Sequence, residues 1–397
     1  MTTQTRTRPV IRMMHGDAAE KPFIVIWEVT RACALVCKHC RADAQHEPHP
    51  RQLSTTQGKA LLDEIAAFGA PHPLVVLTGG DPFERKDLAQ LVAYGSEIGL
   101  SMSLSPSVTP LLTRERVQEL RDVGGKAMSV SLDGAVAATH DEFRGIPGTF
   151  DATVQAAHMI HDVGFRLQVN TTVTRGNVRE LPMLLGDVMS MGAHMWYVFF
   201  LVPTGRGAAL QALNPTDKEG VLHWLHDVSD RIAIKTTEAP QYRRVALQRD
   251  AARAEGRSLP ERGELHAWLT AETTRLLGEK PQVARPPRPP MAVNSGSGFA
   301  FVDHVGDVYP SGFLPQVCGN VTEQSFRDIY RNSPVMIALR HPAEYHGKCG
   351  VCDFNGVCGG SRSHAFAVTG DWLGSDPTCE YLPPAWRQAE ERRPTMA

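Results

Sequence analysis

Eight cysteines are the side chains of this sequence best suited to redox or metal chemistry, and they are unevenly distributed. Three lie within eight residues and five lie in the last fifth of the chain: Cys33, Cys37 and Cys40, then Cys318, Cys349, Cys352, Cys358 and Cys379. Cysteines that only fill a core would be scattered, so this grouping indicates sets of metal ligands. Disulfides are not expected, because the polar N-terminus lacks a secretory signal and predicts a cytoplasmic protein in a reducing compartment.

The first group has the spacing Cys33-x3-Cys37-x2-Cys40 and follows a predicted strand at 23–30. Three thiolates on a short loop can bind three corners of a cubane iron–sulfur cluster and leave the fourth iron open to a ligand. A zinc site that includes His39 and a set of structural cysteines are the alternatives. Adjacent residues such as His39 and Cys40 rarely bind one ion together, so the spacing favours the cluster.

The segment WEVTRACALVCKHC (27–40) resembles the first-strand signature of the radical S-adenosylmethionine (SAM) superfamily. His39 stands where that family usually has an aromatic residue. The resemblance implies a [4Fe–4S] cluster whose open iron chelates the amino and carboxylate groups of SAM. It also implies that reduction of the cluster yields a 5′-deoxyadenosyl radical, which abstracts hydrogen from a substrate. No catalytic side chain is assigned from the sequence.

Two glycines, Gly79 and Gly80, follow the second predicted strand and precede Asp81 and Pro82. By itself this sequence predicts a tight turn in which the backbone can approach a ligand closely. Its position matches the GGEP motif of the family, which implies that these four residues contact the SAM amino group. Because Asp81 replaces a glutamate, its carboxylate has a shorter reach.

The fourth predicted strand ends in the sequence SLDG, which also resembles the family. The resemblance implies that Ser131 contacts the SAM ribose and that Arg144 pairs with the SAM carboxylate, a geometry that guanidinium groups favour. Helix capping is the alternative role for this serine. Asn170, on the fifth strand, is a weaker candidate for SAM binding, and His140 and Asp141 are expected to brace the loop.

The second group, Cys349-x2-Cys352-x5-Cys358-x20-Cys379, supplies four thiolates in a glycine-rich region. Four cysteines saturate an iron–sulfur cluster, which indicates electron transfer or structural support, and a zinc ribbon is the alternative from spacing. The segment resembles the shortened SPASM, or Twitch, extension of radical SAM enzymes. That resemblance implies one auxiliary [4Fe–4S] cluster, two clusters in all. Cys318 is left over and is interpreted as a buried thiol rather than an exchangeable ligand.

Strand and helix patterns alternate between about residues 22 and 203, which predicts an α/β fold with parallel strands and right-handed crossovers. We expect a partial (β/α)6 TIM-like barrel of the radical SAM type, open on one side, and an open doubly wound sheet is the alternative. A helix should begin after Ser54, where Gln57 completes a capping box. The six predicted strands are 23–30, 74–78, 102–107, 127–133, 166–174 and 194–203.

These elements divide the chain into a core, an insertion and a small second domain. The insertion is helical and ends in a proline-rich linker at 284–290, and the second domain is a small α+β cluster-binding domain of the SPASM/Twitch type. The predicted units are an N-terminal extension (1–21), the radical SAM core (22–203), the insertion and linker (204–295), the auxiliary cluster domain (296–384) and a frayed tail (385–397).

The resemblance covers 22–203 and 296–384 and is nearest to a subgroup that acts on tetrapyrroles, including a decarboxylase that converts propionates to vinyl groups. LVPTGRG (201–207) and CGGSR (358–362) are among the matching segments. A tetrapyrrole is therefore the favoured small-molecule substrate, and Arg206 and Arg362 are candidates to bind its carboxylates. Ordinary salt bridges are the alternative for both arginines.

Two other functional classes are weighed against this one. Peptide modification is common among SPASM-type enzymes, but only about 20 residues precede the first strand, fewer than a peptide-binding domain needs. A non-catalytic electron carrier would not need the SAM-binding motifs. An external electron donor such as ferredoxin or flavodoxin is implied. The net charge of −2 and the lack of a long apolar segment predict neither a nucleic-acid nor a membrane partner.

Overall fold

The structure is a computed structural model that describes residues 9–14, 16–258, 262–279, 281 and 288–391. Parts of three predicted segments lie outside the described residues: 1–8 and 15 of the N-terminal extension, 284–287 of the proline-rich linker, and 392–397 of the tail. Within the described residues, no helix has the length and apolar character needed to cross a membrane.

One twisted ten-stranded sheet organises the described part of the chain, in the order β10-β9-β8-β1-β2-β3-β4-β5-β6-β7. Strands β1 to β7 pair in parallel in sequence order, and β8 adds to the free edge of β1, also in parallel. The strands are β1 (Ile24–Glu28), β2 (Leu74–Thr78), β3 (Ser101–Leu104), β4 (Ala127–Ser131), β5 (Arg166–Val173), β6 (Met195–Phe200), β7 (Ala233–Thr237), β8 (Phe299–Val302), β9 (Asp307–Tyr309) and β10 (Gly319–Asn320).

Fourteen α-helices connect or follow these strands in the described residues. They are α1 (Thr55–Ala66), α2 (Leu88–Glu97), α3 (Arg114–Asp122), α4 (Ala137–Arg144), α5 (Thr149–Asp162), α6 (Leu181–Ser190), α7 (Pro215–Asp227), α8 (Gln241–Ala254), α9 (Gly263–Leu277), α10 (Phe326–Asn332), α11 (Pro334–Leu339), α12 (Gly347–Gly350), α13 (Arg362–Thr369) and α14 (Pro384–Glu391). The predicted capping box at the start of α1 is present: the Ser54 hydroxyl accepts from the Gln57 amide, and the Gln57 side chain accepts from the Ser54 amide.

The hydrophobic core lies between the outer face of the sheet and these helices. On β5 the side chains alternate strictly, and every second one (Leu167, Val169, Thr171 and Val173) is buried against the helices. The other set is half-buried or exposed and faces the inside of the curved sheet. We call the space that this inner face lines the lumen.

All six predicted strands exist, and the α/β partial barrel is confirmed. The structure has four strands beyond these six, β7 to β10, and two of them change the predicted architecture. Strand β7 lies inside the segment predicted as a helical insertion, and β8 comes from the predicted second domain yet extends the sheet of the first. The boundary at 296 therefore does not separate two sheets.

The end of the chain also differs from the prediction. A helix, α14, covers part of the predicted frayed tail, and the Arg387 amide donates to the Pro383 carbonyl at 3.1 Å. Proline at the first helical position fits the start of this helix, because its missing amide is not needed there.

Candidate active site

The first cysteine group lies on the loop that leaves β1, between residues 29 and 45. Cys33 and Cys37 are buried, Cys40 is half-buried, and the three pack in one small group. The Cys33 amide donates to the Gln45 carbonyl at 2.8 Å, which fixes the loop. Burial raises the pKa of the Cys33 thiol, so a metal cation would be needed to hold it as thiolate at neutral pH.

A buried ion-pair cluster anchors this loop to the sheet. Glu28, the last residue of β1, lies 2.9 Å from the Arg41 guanidinium and 3.0 Å from Nδ1 of His304. Arg41 also lies over the Phe301 ring, 4.3 Å from its centroid. Burial alone would raise the pKa of Glu28, but Arg41 and His304 outweigh it and lower that pKa. The Glu28 carboxylate therefore stays charged and holds Arg41, the residue that follows Cys40.

The two glycines after β2 pack directly on the cysteine loop. The Gly80 amide donates to the Thr30 carbonyl at 2.8 Å. A Cβ atom on Gly79 would lie 2.5 Å from the Thr30 carbonyl oxygen, and one on Gly80 would lie 2.7 Å from the Arg31 carbonyl oxygen. No side chain fits in either place, so the glycines are required for this close approach.

Asp81 is buried, and its carboxylate is used inside the fold. Its oxygens accept hydrogen bonds from the amides of Phe83 (3.1 Å) and Ser107 (3.3 Å) and from the hydroxyl of Thr109 (2.8 Å). Burial raises the pKa of Asp81 to about 6. The Asp81 carboxylate therefore fixes the loops after β2 and β3. The backbone of the Gly79–Pro82 motif is the part that is left to contact a ligand. Pro82 follows and begins a short 3-10 turn.

Ser107 is a site residue that the sequence analysis missed. Its hydroxyl donates to the Gly80 carbonyl at 2.9 Å and lies 3.5 Å from the sulfur of Cys33. It thus joins the loop after β3 to both predicted motifs. A serine at the carboxyl end of a predicted strand was the available signal, but many strands end this way.

The ends of β4 and β5 place Ser131 and Asn170 side by side as register partners on the inner face. The side-chain Nδ2 of Asn170 donates to the Ser129 hydroxyl at 3.3 Å, and its Oδ1 accepts from Nε2 of Gln168 at 2.8 Å. A row of uncharged polar groups therefore lines the lumen near the cysteine loop.

Arg144 does not stand free for a SAM carboxylate as expected. Its guanidinium pairs closely with Asp133 and also lies 3.7 Å from the sulfur of Cys37. Burial alone would raise the pKa of Asp133, but Arg144 outweighs it and keeps the carboxylate charged. The expected braces are in place: Asp133 donates its amide to Nδ1 of His140 at 3.1 Å, and Asp141 accepts from the Phe150 amide at 2.7 Å.

Buried nitrogen atoms without hydrogen-bond partners lie at this site. Nδ1 of His39 and the Nε and Nη2 atoms of Arg206 are buried without a hydrogen-bond partner. The His39 ring lies 4.6 Å from that of Phe143, and burial lowers its pKa to about 4, which keeps it neutral. Arg206 is held by its amide, which donates to the Cys40 carbonyl at 3.1 Å. Buried donors without partners indicate a place where a polar ligand belongs.

The second cysteine group surrounds one cavity, which Cys349, Cys352, Cys358 and Cys379 all line. Backbone amides point at three of the sulfurs: Asp376 at Cys349 (3.3 Å), Phe354 at Cys352 (3.4 Å) and Gly360 at Cys358 (3.5 Å). Burial raises the pKa of the Cys358 thiol to about 12, so this thiol also needs a cation to ionise. Amide-to-sulfur hydrogen bonds of this kind stabilise metal-bound thiolates.

Arg362 was proposed as a substrate ligand, and the structure places it elsewhere. It is 2 % exposed, donates to the Gly374 carbonyl at 2.7 Å and lies 3.4 Å from the sulfur of Cys349. Its guanidinium also lies over the Tyr345 ring at 4.5 Å. Arg362 therefore contacts the second cysteine group, and its guanidinium is engaged inside the fold.

Helix α8 contributes two neighbouring arginines to the same region, and sequence analysis missed both. Arg243 donates to the carbonyls of Met291 (2.9 Å) and Cys358 (3.3 Å), and Arg244 pairs with Glu219 at 2.5 Å while lining the cavity. The helical insertion thus holds the second cysteine group in position. Their sequence context, a charged amphipathic helix, is typical of an exposed surface and gave no signal.

Comparison with known proteins bears on these sites. A profile of the radical SAM superfamily matches residues 27–185, and the SPASM iron–sulfur cluster-binding domain matches 294–353. The AdoMet-dependent heme synthase of Methanosarcina barkeri is 39 % identical over 91 % of this chain and 97 % of its own length. The chain belongs to the radical SAM superfamily.

One further relative and one solved structure are also similar to this chain. The Fe-coproporphyrin III synthase of Methanosarcina barkeri is 30 % identical over 91 % of this chain and 88 % of its own. SuiB of Streptococcus suis, solved with bound SAM, has the same fold (TM-score 0.66, 14 % identity, 91 % of this chain and 78 % of that one). As a radical SAM enzyme with a SPASM region, this chain uses [4Fe–4S] clusters and SAM as cofactors.

The residues present fit these cofactors. Three thiols pack together on the loop that carries His39, whose Nδ1 has no partner, and four thiols line a separate cavity with amides aimed at three of their sulfurs. Among the described residues, no three His, Cys, Asp or Glu side chains are grouped to hold a single metal ion. A cubane cluster does not require such a group, because each cysteine sulfur binds a different iron of the cluster.

Proposed function

We propose that this radical SAM enzyme modifies the propionate side chains of an iron-porphyrin, in the manner that the name heme synthase implies for its relatives. The observation that carries the proposal is 39 % identity to an AdoMet-dependent heme synthase along nearly the full length of both chains. The polar lumen with an unpaired arginine at its cysteine-loop end supports it, because a propionate is an anion.

In this proposal Cys33, Cys37 and Cys40 bind the SAM-cleaving cluster. When bound, the cluster and SAM supply a radical that removes one hydrogen atom from the substrate. The backbone at Gly79–Pro82 and the side chains of Ser131 and Asn170 orient SAM. Because Arg144 is already paired with Asp133, we assign it to positioning the cysteine loop, where its guanidinium faces Cys37.

The substrate itself would be bound from the lumen. Arg206 lies at the cysteine-loop end with two unpartnered nitrogens, so we propose that it binds the carboxylate of the reacting propionate. A propionate that has lost a hydrogen atom becomes a vinyl group by losing carbon dioxide and one electron. The protein therefore needs an electron acceptor near the lumen.

The second cysteine group is proposed to hold an auxiliary [4Fe–4S] cluster that accepts this electron. Cys349, Cys352, Cys358 and Cys379 saturate it, so it would exchange electrons and bind no substrate. An external donor such as ferredoxin or flavodoxin, in the cytoplasm, would reduce the first cluster.

The test uses anaerobically reconstituted enzyme with SAM, a reductant and iron-coproporphyrin III. Mass spectrometry should show loss of carbon dioxide from two propionates and formation of 5′-deoxyadenosine. Cys33→Ala, Cys37→Ala and Cys40→Ala should each abolish 5′-deoxyadenosine. Production of 5′-deoxyadenosine by these variants would contradict the cluster assignment. An unchanged porphyrin mass in the wild type would contradict the substrate and favour the peptide alternative.

A further inference from the structure

The lumen has a second polar end, opposite the cysteine loop. Register pairing places Gln168, Asn170 and Thr172 of β5 beside Met195, Tyr197 and Phe199 of β6, so all six share the inner face. Lys235 of β7 is the register partner of Tyr197 and lies on the same face. The inner face can thus be followed from the amino ends of these strands to their carboxyl ends.

Four cations lie around the amino-terminal part of β5 and β6 and the middle of β7. The ammonium of Lys235 lies 4.4 Å from the centroid of the Tyr197 ring, and Arg288 donates to the sulfur of Met195 at 3.6 Å. Arg166 is the first residue of β5, and Arg12 is bridged to Met291, three residues beyond Arg288. We call Arg12, Arg166, Lys235 and Arg288 the basal cluster.

No carboxylate of the described residues pairs with the basal cluster. Arg166 contacts the imidazole of His194, Lys235 contacts only an aromatic face, and the Nε atom of Arg12 is buried without a partner. Burial lowers the pKa of Arg288, and its neighbours Arg12 and Arg166 lower it further. Like charges that gather in this way repel, so an anion placed between them would be stabilising.

We propose that the basal cluster binds the carboxylates of the substrate that lie farthest from the reacting one. This inference rests on the proposed function and deepens it. From Met195 to Phe199 the inner face rises by four residues, about 13 Å at 3.3 Å per residue. A flat macrocycle with carboxylates on opposite edges can therefore contact Arg206 with one edge and the basal cluster with the other.

Guanidinium groups suit this task because they bind carboxylates with two parallel hydrogen bonds. The side chains of β5 between the two ends, Asn170 and Thr172, are polar but uncharged and do not repel a carboxylate. The proposal predicts that the basal cluster sets affinity for polycarboxylated macrocycles and has no part in SAM cleavage.

The experiment measures binding of iron-coproporphyrin III to the reconstituted holoenzyme by its Soret absorption. Arg288→Gln and Lys235→Gln should each weaken binding about tenfold, as expected for loss of one charge-assisted contact at a partly exposed site. The tetramethyl ester of the same porphyrin, which lacks anionic groups, should bind all forms equally. Arg275→Gln, on the exposed face of α9 with its partner Glu272, is the matched control.

The outcomes separate the two proposals. If the wild type binds the porphyrin but both variants bind it equally well, the basal cluster has no such role and the proposed function stands. If the substitutions weaken binding of the porphyrin and of its tetramethyl ester equally, they have changed the shape of the site and not its recognition of charge. That result also overturns the inference. Failure of the wild type to bind the porphyrin at all would overturn the proposed function with it. Iron content and thermal midpoint show that each variant is folded.

Discussion

Replacing Glu238 with glutamine should leave the junction between the barrel and the auxiliary cysteine region nearly intact, whereas alanine should weaken it. Glu238 follows β7 directly and has a left-handed backbone (φ 57°), which is uncommon for a residue other than glycine. One carboxyl oxygen lies 3.0 Å from the Ser311 hydroxyl and the other 2.5 Å from the Ser361 hydroxyl. It therefore joins the barrel to both segments of the C-terminal region.

We predict that Glu238 is a neutral carboxylic acid, from the hydrogens that this chain of contacts requires. Nε2 of His364 lies 2.7 Å from the Leu201 carbonyl, which can only accept, so Nε2 carries a hydrogen. Burial lowers the pKa of His364 to about 4, so its Nδ1 is bare and accepts from the Ser361 hydroxyl at 3.0 Å. If the Ser361 hydroxyl hydrogen goes to His364, the hydrogen between Ser361 and Glu238 is expected to belong to Glu238, and burial raises the pKa of that carboxyl.

The magnitudes follow from which groups lose partners. Glutamine offers one donor and one acceptor, as a protonated carboxyl does, so Glu238→Gln should cost less than about 1 kcal/mol. Glu238→Ala removes one hydrogen-bond partner from each of the Ser311 and Ser361 hydroxyls, at about 1–2 kcal/mol each and about 2–4 kcal/mol together. Were Glu238 ionised, glutamine would place an amide hydrogen against a hydroxyl hydrogen and cost about as much as alanine.

Two measurements on the anaerobic holoenzyme test this reasoning. Thermal midpoints should fall in the order wild type, Glu238→Gln, Glu238→Ala, with only the last clearly lowered. Infrared difference spectra should show a carboxylic-acid carbonyl band that shifts in heavy water and is missing from Glu238→Gln. Glu119→Gln, on the exposed face of α3, is the control. Absence of the band, or equal destabilisation by glutamine and alanine, would refute the neutral acid.

Three further changes are expected to have distinct effects. Gly80→Ala should abolish SAM binding, because the new Cβ would press on the carbonyls of Arg31 and Ala32; a normal SAM-induced change in the cluster spectrum would contradict this. Arg362→Gln should reduce iron bound at the second cysteine group while porphyrin affinity is unchanged; weaker porphyrin binding with full iron content would return Arg362 to the substrate site. Cys352→Ala should remove roughly half of the iron but retain SAM binding, since each cluster holds four irons; zinc in place of iron at this group would contradict the auxiliary cluster.

Local patterns allowed much of this fold to be predicted from sequence. The six strands, the capping box at Ser54 and the two cysteine groups all depend on residues close together in the chain. The parallel pairing followed from alternation, since crossovers are nearly always right-handed. Such features are encoded within windows of ten to twenty residues, roughly the length of one strand and helix.

Roles that depend on which of several possible partners the fold brings into contact were not predictable in the same way. Arg144 and Arg362 were assigned to ligands because a guanidinium suits a carboxylate, yet the fold supplies Asp133 to one and backbone carbonyls to the other. Strand β7 contains a lysine and threonines, so its sequence does not resemble a buried strand. It forms because the edge of β6 is open to pairing in the folded sheet. Tertiary context selected these partners over local propensity.

Each cysteine group has one guanidinium aimed at a sulfur: Arg144 at Cys37 (3.7 Å) and Arg362 at Cys349 (3.4 Å). A thiolate-bound cluster becomes more negative when it is reduced, so a fixed cation beside it favours the reduced form. Arg144 is balanced by Asp133, whereas Arg362 donates to neutral carbonyls and forms no ion pair with another described residue. The second cluster should therefore be the easier of the two to reduce, which is the order required if it accepts electrons from the substrate side of the reaction.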